Sequence, residues 1–535
     1  MKKKLTLWAA LCMMLVCVMS ITAFAAGTAA ITQCIISGAD QITVTATASG
    51  VASEDGNLYL FELKPYQNSI AGRVDFCAVA PNAPTVTFTT PLGKNTANSK
   101  LCSRFVVAAK AGGAYTAVSQ EFYITNPEAG AAHTAINPVP LSIKGITADN
   151  TAILLLPELG VQHASYELAI DRFFTPGEGV SFTYNGKPYS FNKKVISEYD
   201  MIMQLFASQK VEVTMNIVNY FNPATALTVK PAARVGGYRH YAFNMDEQSG
   251  AESIEALMAF LTQRYSNPAT GLITNWIIGN EVNNNNPWYF AGNYNVTNFV
   301  AEYEKAFRVC YNAIKAQNAN ARVLTCIDQR WTWEDGTANQ YGAKKFIDAF
   351  NTDVASHGNI DWGVAWHPHP VPLTTPKFWN MPSNYKALHL ISNDANTRMI
   401  NPQNMDVFTN YMAQPSFLAP NGQVRYIIIS EILFNSQGSD EATQAASFAY
   451  AYKLAERNPH IKGFIVHRAV DDLYEKSSDK IACGIYNCDA NGMISTPKQM
   501  CEVFKYIDTP QSAAYTQFAL PIIGASSWAA VGCNP

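Results

Sequence analysis

Two glutamates in this chain stand directly after apolar runs. One run reads Trp276-Ile-Ile-Gly-Asn280-Glu281 and the other Tyr426-Ile-Ile-Ile-Ser430-Glu431. A single glutamate after a strand is more often a helix cap or a salt-bridge partner. Two of them at the ends of two strands in one closed sheet can do more. One carboxyl, protonated, can give its proton to a leaving oxygen while the other, ionised, attacks carbon. That pairing is what cleavage of a glycosidic bond requires. Carboxyls about 5–5.5 Å apart give retention through a covalent intermediate, and a wider gap admits water and gives inversion.

Other polar and aromatic residues gather at the same kind of position. His367 and His369 close Ala365-Trp366-His367-Pro368-His369, and His467-Arg468 follows Val466. Trp288-Tyr289-Phe290 comes after an asparagine run, Asn283–Asn286. Trp331 and Trp333 follow Asp328 and Arg330. Flat aromatic faces stack on sugar C–H surfaces and asparagines pair with hydroxyls, although such clusters are as often ordinary loop packing. His367-Pro-His369 also has His-x-His ligand spacing, with Asp471-Asp472 further along. The proline between the histidines restricts the backbone, and two-carboxylate chemistry needs no metal and no cofactor. No Cys pair or Cys/His cluster has zinc spacing.

The elements that must hold these residues show in the hydrophobic period. Apolar runs occur at His163–Ile170, Val211–Val218, His240–Phe243, Thr274–Ile278, Arg322–Ile327, Trp362–Trp366, Arg425–Ile429 and Lys462–Val466. Helical spacing occurs at Lys193–Ser208, Ser253–Tyr265, Val296–Ala316, Gly342–Val354, Gln403–Met412, Ala442–Arg457 and Pro497–Ile507. Eight strands with crossover helices predict an α/β fold, a (β/α)8 TIM barrel over 133–510, with Glu281 on the fourth strand and Glu431 on the seventh. An open doubly wound sheet would normally carry a Gly-rich phosphate loop early, and none is visible. In a barrel the site lies at the C-terminal ends of the strands, where both glutamates stand.

Before the barrel the period is two. Gln41–Ala48, Leu58–Leu63, Thr85–Thr90, Arg104–Ala109 and Gln120–Thr125 read as strands of a small immunoglobulin-like sandwich over 26–132, ending in a linker at Asn126–Ala132. Without a tryptophan cluster it reads as a spacer or support domain. Residues 511–535 read as a C-terminal tail. Residues 1–25 have a Lys2–Lys4 charge cluster, an uncharged apolar stretch and Ala23-Phe-Ala25, the pattern of a signal peptide cleaved near Ala25. The expectation is a secreted, extracellular bacterial protein, with no membrane association after cleavage. A formal net charge of −3, from 38 basic against 41 acidic residues, argues against nucleic acid or an anionic membrane as an electrostatic partner. Cys12 and Cys17 fall in the leader, so nine of 11 cysteines remain, an odd number whose pairing the sequence leaves open.

Asn280-Glu281 on the fourth strand with Glu431 on the seventh resembles clan A of the glycoside hydrolases, and Ile278-Gly-Asn-Glu-Val282 is similar to the strand-4 motif of several of its β-glycanase families. The resemblance covers the barrel only. It also fits a bacterial branch catalogued as a domain of unknown function, which leaves the substrate open. It implies a retaining double displacement on a β-linked oligo- or polysaccharide; separately from the resemblance, a monomer is expected. Glu281 would be the acid/base, Glu431 the nucleophile and Asn280 the partner of the sugar 2-hydroxyl. His367, His369, Trp288, Trp331, Arg330, His467 and Arg468 would line the substrate. The chain departs from the clan at strand 8, where His467 replaces the usual tryptophan. His369 stands where a tyrosine often bonds the nucleophile. Asn216–Tyr220 lacks the frequent arginine, which Arg239, Arg330 or Arg468 could replace. Two rivals follow: a metal-dependent hydrolase built on His367 and His369, and a non-catalytic carbohydrate-binding protein on a decayed barrel.

Overall fold

The computed structural model describes residues 27–533, so the expected leader lies outside the described residues. One compact unit extends to Pro127. It holds two antiparallel sheets. Thr28–Gly38, Gln41–Ser49 and Thr85–Pro91 form the first; Ala78–Pro81, Asn57–Leu63, Arg104–Ala111 and Ala114–Ala117 form the second. Burial alternates strictly along Thr85–Pro91, as a strand with one wet face requires. The expected last strand, Gln120–Thr125, shrinks to Phe122–Tyr123.

The second unit is a closed parallel barrel. Its strands are β1 (Lys144–Thr147), β2 (His163–Ala169), β3 (Glu212–Val218), β4 (Gly271–Ile278), β5 (Arg322–Ile327), β6 (Gly363–Trp366), β7 (Ile427–Ile432) and β8 (Ile461–Val466). Each pairs in parallel with its neighbours, and β8 returns to β1. Helices α1 (Lys193–Gln209), α2 (Gln248–Arg264), α3 (Val296–Gln317), α4 (Ala343–Ser356), α5 (Met405–Met412), α6 (Glu441–Glu456) and α7 (Gln499–Tyr506) run between and after the strands. Their starts are chemically marked. Asn192 accepts from two backbone N–H groups of α1, Asn295 from one of α3 and Asp440 from one of α6. No helix among the described residues is long and apolar enough to cross a membrane.

Two of the expected strands need correction. The first strand is Lys144–Thr147, four residues beginning Lys-Gly, too short and too polar to show an apolar period. His240–Phe243 is not a ladder strand; it makes only isolated bridges, Tyr241 with Phe290 and Phe243 with Val229, inside the loop after β3. The two errors offset each other, so Glu281 and Glu431 keep their places after β4 and on β7. The segment Asn216–Tyr220 belongs to the end of the third strand. The expected C-terminal tail carries short helices at Ser512–Thr516 and Ala519–Ile523.

The barrel interior is layered. Ile277, Leu324, Cys326, Ala365, Ile428 and Ile465 fill its middle. Below them, at the N-terminal ends of the strands, sits a buried carboxylate. Glu212 Oε1 accepts from Asn275 Nδ2 at 2.8 Å and Tyr426 Oη at 2.9 Å, and Arg322 Nη1 lies 3.3 Å from both its oxygens. Burial opposes this charge, but His163, Arg322 and Asn275 outweigh burial and hold the carboxyl at about 2. Removing one partner of such a network strands the others, so Glu212→Ala is expected to destabilise the fold by about 3 kcal/mol. Denaturant unfolding measures this, and a loss below about 1 kcal/mol contradicts it. The folded pKa is depressed, so the stabilisation is complete above the unfolded value near 4.3 and drains away as pH falls toward 2.

Candidate active site

The turn after β4 is what presents Glu281. Gly279 has φ +81°, and a Cβ there would stand 2.6 Å from the Tyr289 ring. Glu281 itself lies in the left-handed region at φ +39°, a conformation a glutamate adopts only when its surroundings impose it. Its side chain is nearly covered, at 11 % exposure. Glu431 is re-aimed by a bulge: Ile429 pairs with Phe464 and Ile432 with Val466, so β7 carries one residue more than β8 between these pairs.

Three histidines join the two carboxylates. His369 Nε2 stands 3.5 Å from Glu431 Oε1 and 4.0 Å from Glu281 Oε1. The two oxygens are therefore closer together than those lengths end to end, within reach of one glycosidic bond. His367 Nδ1 lies 3.0 Å from Glu281 Oε1, and its Nε2 is 3.1 Å from Ser430 Oγ. His467 faces Glu431 Oε2 with Nδ1 at 3.9 Å and Glu475 with Nε2 at 3.2 Å. The His467–Arg468 peptide is cis.

Charge follows this geometry. Burial works against the Glu431 carboxylate, but His467, His367 and His369 outweigh it and hold the group well below the usual carboxylate range. Burial also favours a neutral His367, yet Cys326, Glu431 and the bond to Glu281 raise it well above an ordinary histidine. His467 is raised too: burial opposes its charge, and Glu431 and Glu475 prevail. One carboxylate is thus kept ionised, and protons are kept on two imidazoles beside it.

Asn280 is buried at the same rim, and its Oδ1 accepts from Asn216 Nδ2 at 3.0 Å. Trp288 is half-buried, 5.7 Å from the His240 ring. Arg330 donates to Asp328 at 2.7 Å and to Gln340 at 2.9 Å; burial opposes its charge, and Asp328 first and Glu281 after it outweigh burial. Arg468 is tied to Asp149 and Glu475. Trp331 departs from expectation: it is 1 % exposed, its indole N–H donates to the Ala395 carbonyl, and its ring packs on Phe408 and Tyr411. It is a core residue and offers no face to a sugar.

Several residues at this rim escape the sequence reading. Glu167, near the end of β2, accepts from Tyr220 Oη at 2.8 Å and faces His240 Nε2 at 3.8 Å. Burial raises it first, with Asp171 and Glu431 adding to the effect. An acid near the end of an otherwise apolar strand is a signal that could have found it. Glu475 gives none, lying in an irregular loop beyond β8.

At this rim, two sets of described side chains could gather around a metal. Glu281, His367 and His369 bring one ligand atom each within 4.8 Å of one another, as do His467, Glu475 and Cys483. Hydrogen bonding weighs against the first. The Leu433 N–H donates to His369 Nδ1 at 3.3 Å, which leaves the hydrogen on Nε2 and no lone pair there for a cation. In the second set burial raises the Cys483 thiol well above its ordinary value, and Arg468 already lies 3.5 Å from Glu475. Of the two aspartates of the rival reading, Asp471 is buried against Lys498 at 2.7 Å and Asp472 lies 3.5 Å from Arg468.

Residues 137–531 match the family model described as "Family of unknown function (DUF5722)". The chain belongs to the DUF5722 family. No curated protein matches it. Among solved structures, this DUF5722 chain is similar to a family 39 glycoside hydrolase from the gut symbiont Bacteroides cellulosilyticus WH2. That match has 14% identity and a TM-score of 0.46, and covers 89% of this chain and 81% of the other. It is similar also to a family 1 β-glucosidase from Thermotoga maritima, at 11% identity and TM-score 0.42, covering 68% and 85%. A hyperthermophilic β-glucosidase from Pyrococcus furiosus gives 13% identity and TM-score 0.45, covering 70% and 88%.

Proposed function

We propose that this chain is a glycoside hydrolase that cleaves a β-linked glycan with retention, with Glu431 as nucleophile and Glu281 as acid/base. The observation that carries this reading is the meeting of the two carboxylates around one imidazole nitrogen, His369 Nε2, with Glu431 held ionised by three histidines.

The chemistry runs in two displacements. The proton that His367 Nδ1 holds toward Glu281 Oε1, 3.0 Å away, passes through Glu281 to the glycosidic oxygen as the C–O bond breaks. Glu431 takes the anomeric carbon and becomes an ester, losing its charge. Water then enters on the face the leaving group vacated, opposite the ester bond, Glu281 accepts its proton, and the ester breaks to release the sugar and regenerate Glu431. His369, with hydrogen on Nε2, donates toward Glu431 and steadies the charge that departs and returns. No step calls for a cofactor.

Turnover on a panel of aryl β-glycosides and plant, fungal and bacterial polysaccharides, with and without a chelator, tests this. The expected result is cleavage of at least one substrate, unaffected by chelation, with the β-anomer formed first. Loss of activity on chelation moves the reading to the metal set of Glu281, His367 and His369, which the 4.8 Å grouping of their ligand atoms favours.

The pH profile gives a further check. Glu431 works when ionised and is depressed, so the acid limb of kcat/KM is expected below the ordinary carboxylate value of about 4.3. Positive His467 contributes to that depression, so His467→Gln should move the limb to higher pH. An acid limb that stays put in His467→Gln contradicts the assignment.

A further inference from the structure

On the reading above, Glu431 bonds the sugar that is retained and Glu281 serves the part that leaves. The leaving part therefore lies toward β4. The retained sugar and whatever precedes it lie on the other side of Glu431, over the ends of β8, β1 and β2. Those strands are consecutive in the barrel, with β3 next.

The two loops that flank that side, after β3 and after β8, are linked to each other. Arg239, in the loop after β3, donates from Nη2 to Tyr474 Oη at 3.2 Å, and its guanidinium lies 5.0 Å from the centre of the Tyr474 ring. Tyr474 belongs to the loop after β8 and is 54 % exposed. Both ends are anchored. The Arg239 N–H donates to the Pro287 carbonyl at 3.0 Å, and the Tyr474 N–H donates to Asp472 at 2.8 Å. The neighbours of the pair point to the reacting centre: His240 faces Glu167, and Glu475 holds His467 against Glu431. Glu167, which faces the residue next to Arg239 in the chain, keeps its side chain 46 % exposed. Among the described residues no Lys or Arg forms an ion pair with it, which leaves acceptor capacity for hydroxyls.

We propose that the Arg239–Tyr474 link walls off the glycone end of the cleft, with Glu167 receiving hydroxyls of the terminal sugar, so that the chain removes sugars from non-reducing ends and does not cut within a polymer. The inference rests on the glycosidase reading. A continuous glycan needs room on both sides of the scissile bond, and a link from the β3 loop to the β8 loop takes that room on the glycone side.

Reducing-end-labelled β-1,3 and β-1,4 pentasaccharides of glucose, mannose, galactose and xylose are the probes. With the wild-type chain, the labelled product should shorten by one sugar at a time. Tyr474→Ala removes ring and hydroxyl together and should raise the share of internal cuts about ten-fold, the scale on which a pocket contact discriminates. Tyr474→Phe keeps the ring under the guanidinium and should stay nearer wild type. Labelled di- and trisaccharides among the first wild-type products overturn the closed end while leaving the glycosidase reading intact. An unchanged terminal pattern in a Tyr474→Ala chain that melts within a few degrees of wild type overturns the assignment of the wall to this pair. A wild-type chain that cuts neither these probes nor the aryl β-glycosides overturns the glycosidase reading and this inference with it.

Discussion

Glu431→Gln is expected to lower kcat by about 10,000-fold or more on every glycoside the wild-type chain cleaves, a barrier increase of about 5 kcal/mol. The amide keeps the shape of the carboxyl but cannot bond the anomeric carbon. It also leaves His467 and His369 facing a neutral group where each now faces an anion at 3.9 Å and 3.5 Å. The loss should not depend on the leaving group, because the covalent step is missing for all of them. Glu431→Gly with azide offers a complementary result. A small anion entering the vacated space should restore turnover and give a glycosyl azide of inverted configuration. A Glu431→Gln chain with more than about a tenth of wild-type kcat contradicts the nucleophile assignment.

Glu281→Gln should behave differently. For substrates whose departing oxygen needs a proton, kcat/KM is expected to fall by about 100- to 10,000-fold, the usual worth of a positioned acid. For a dinitrophenyl glycoside, whose leaving group departs as a stable anion, the first step needs no proton and kcat/KM should stay within about ten-fold of wild type. The ester then waits for a base that is no longer there, so a burst of dinitrophenolate followed by slow turnover is the expected time course. The contrast between the two substrates separates an acid from a residue that only shapes the pocket. An equal loss on both contradicts the acid/base role. His367, 3.0 Å from Glu281, should soften the effect slightly if its own proton reaches the leaving oxygen.

Much of this arrangement is legible in the residues. The runs before Glu281 and Glu431 are strands because three or four consecutive apolar residues can bury both faces only inside a covered parallel sheet. Those runs also place both acids at one mouth. What is not legible has physical causes. Lys144–Thr147 is four residues long and held by its neighbours β2 and β8, so nothing in its own sequence marks it. His240–Phe243 looks like a strand because its aromatic and apolar residues are buried, but they pack under a loop. Trp331 sits where a sugar platform is expected, and only its contacts with Phe408 and Tyr411 show that it is core. The third carboxylate at the rim, Glu167, stands on a segment that does read as a strand, yet its facing partners, Tyr220 and His240, lie about 50 residues or more away along the chain. The tautomer of His369 depends on one backbone N–H from Leu433, a contact no spacing rule contains.

The central claim is that Glu431 becomes covalently attached to the sugar. A 2-deoxy-2-fluoro glycoside with a good leaving group slows both displacements and the second more than the first, so the ester accumulates. Intact mass spectrometry should show one glycosyl group added per chain, and peptide mapping should place it on Glu431. Attachment at any other residue, or full turnover of the true substrate with first formation of the inverted anomer, contradicts the claim.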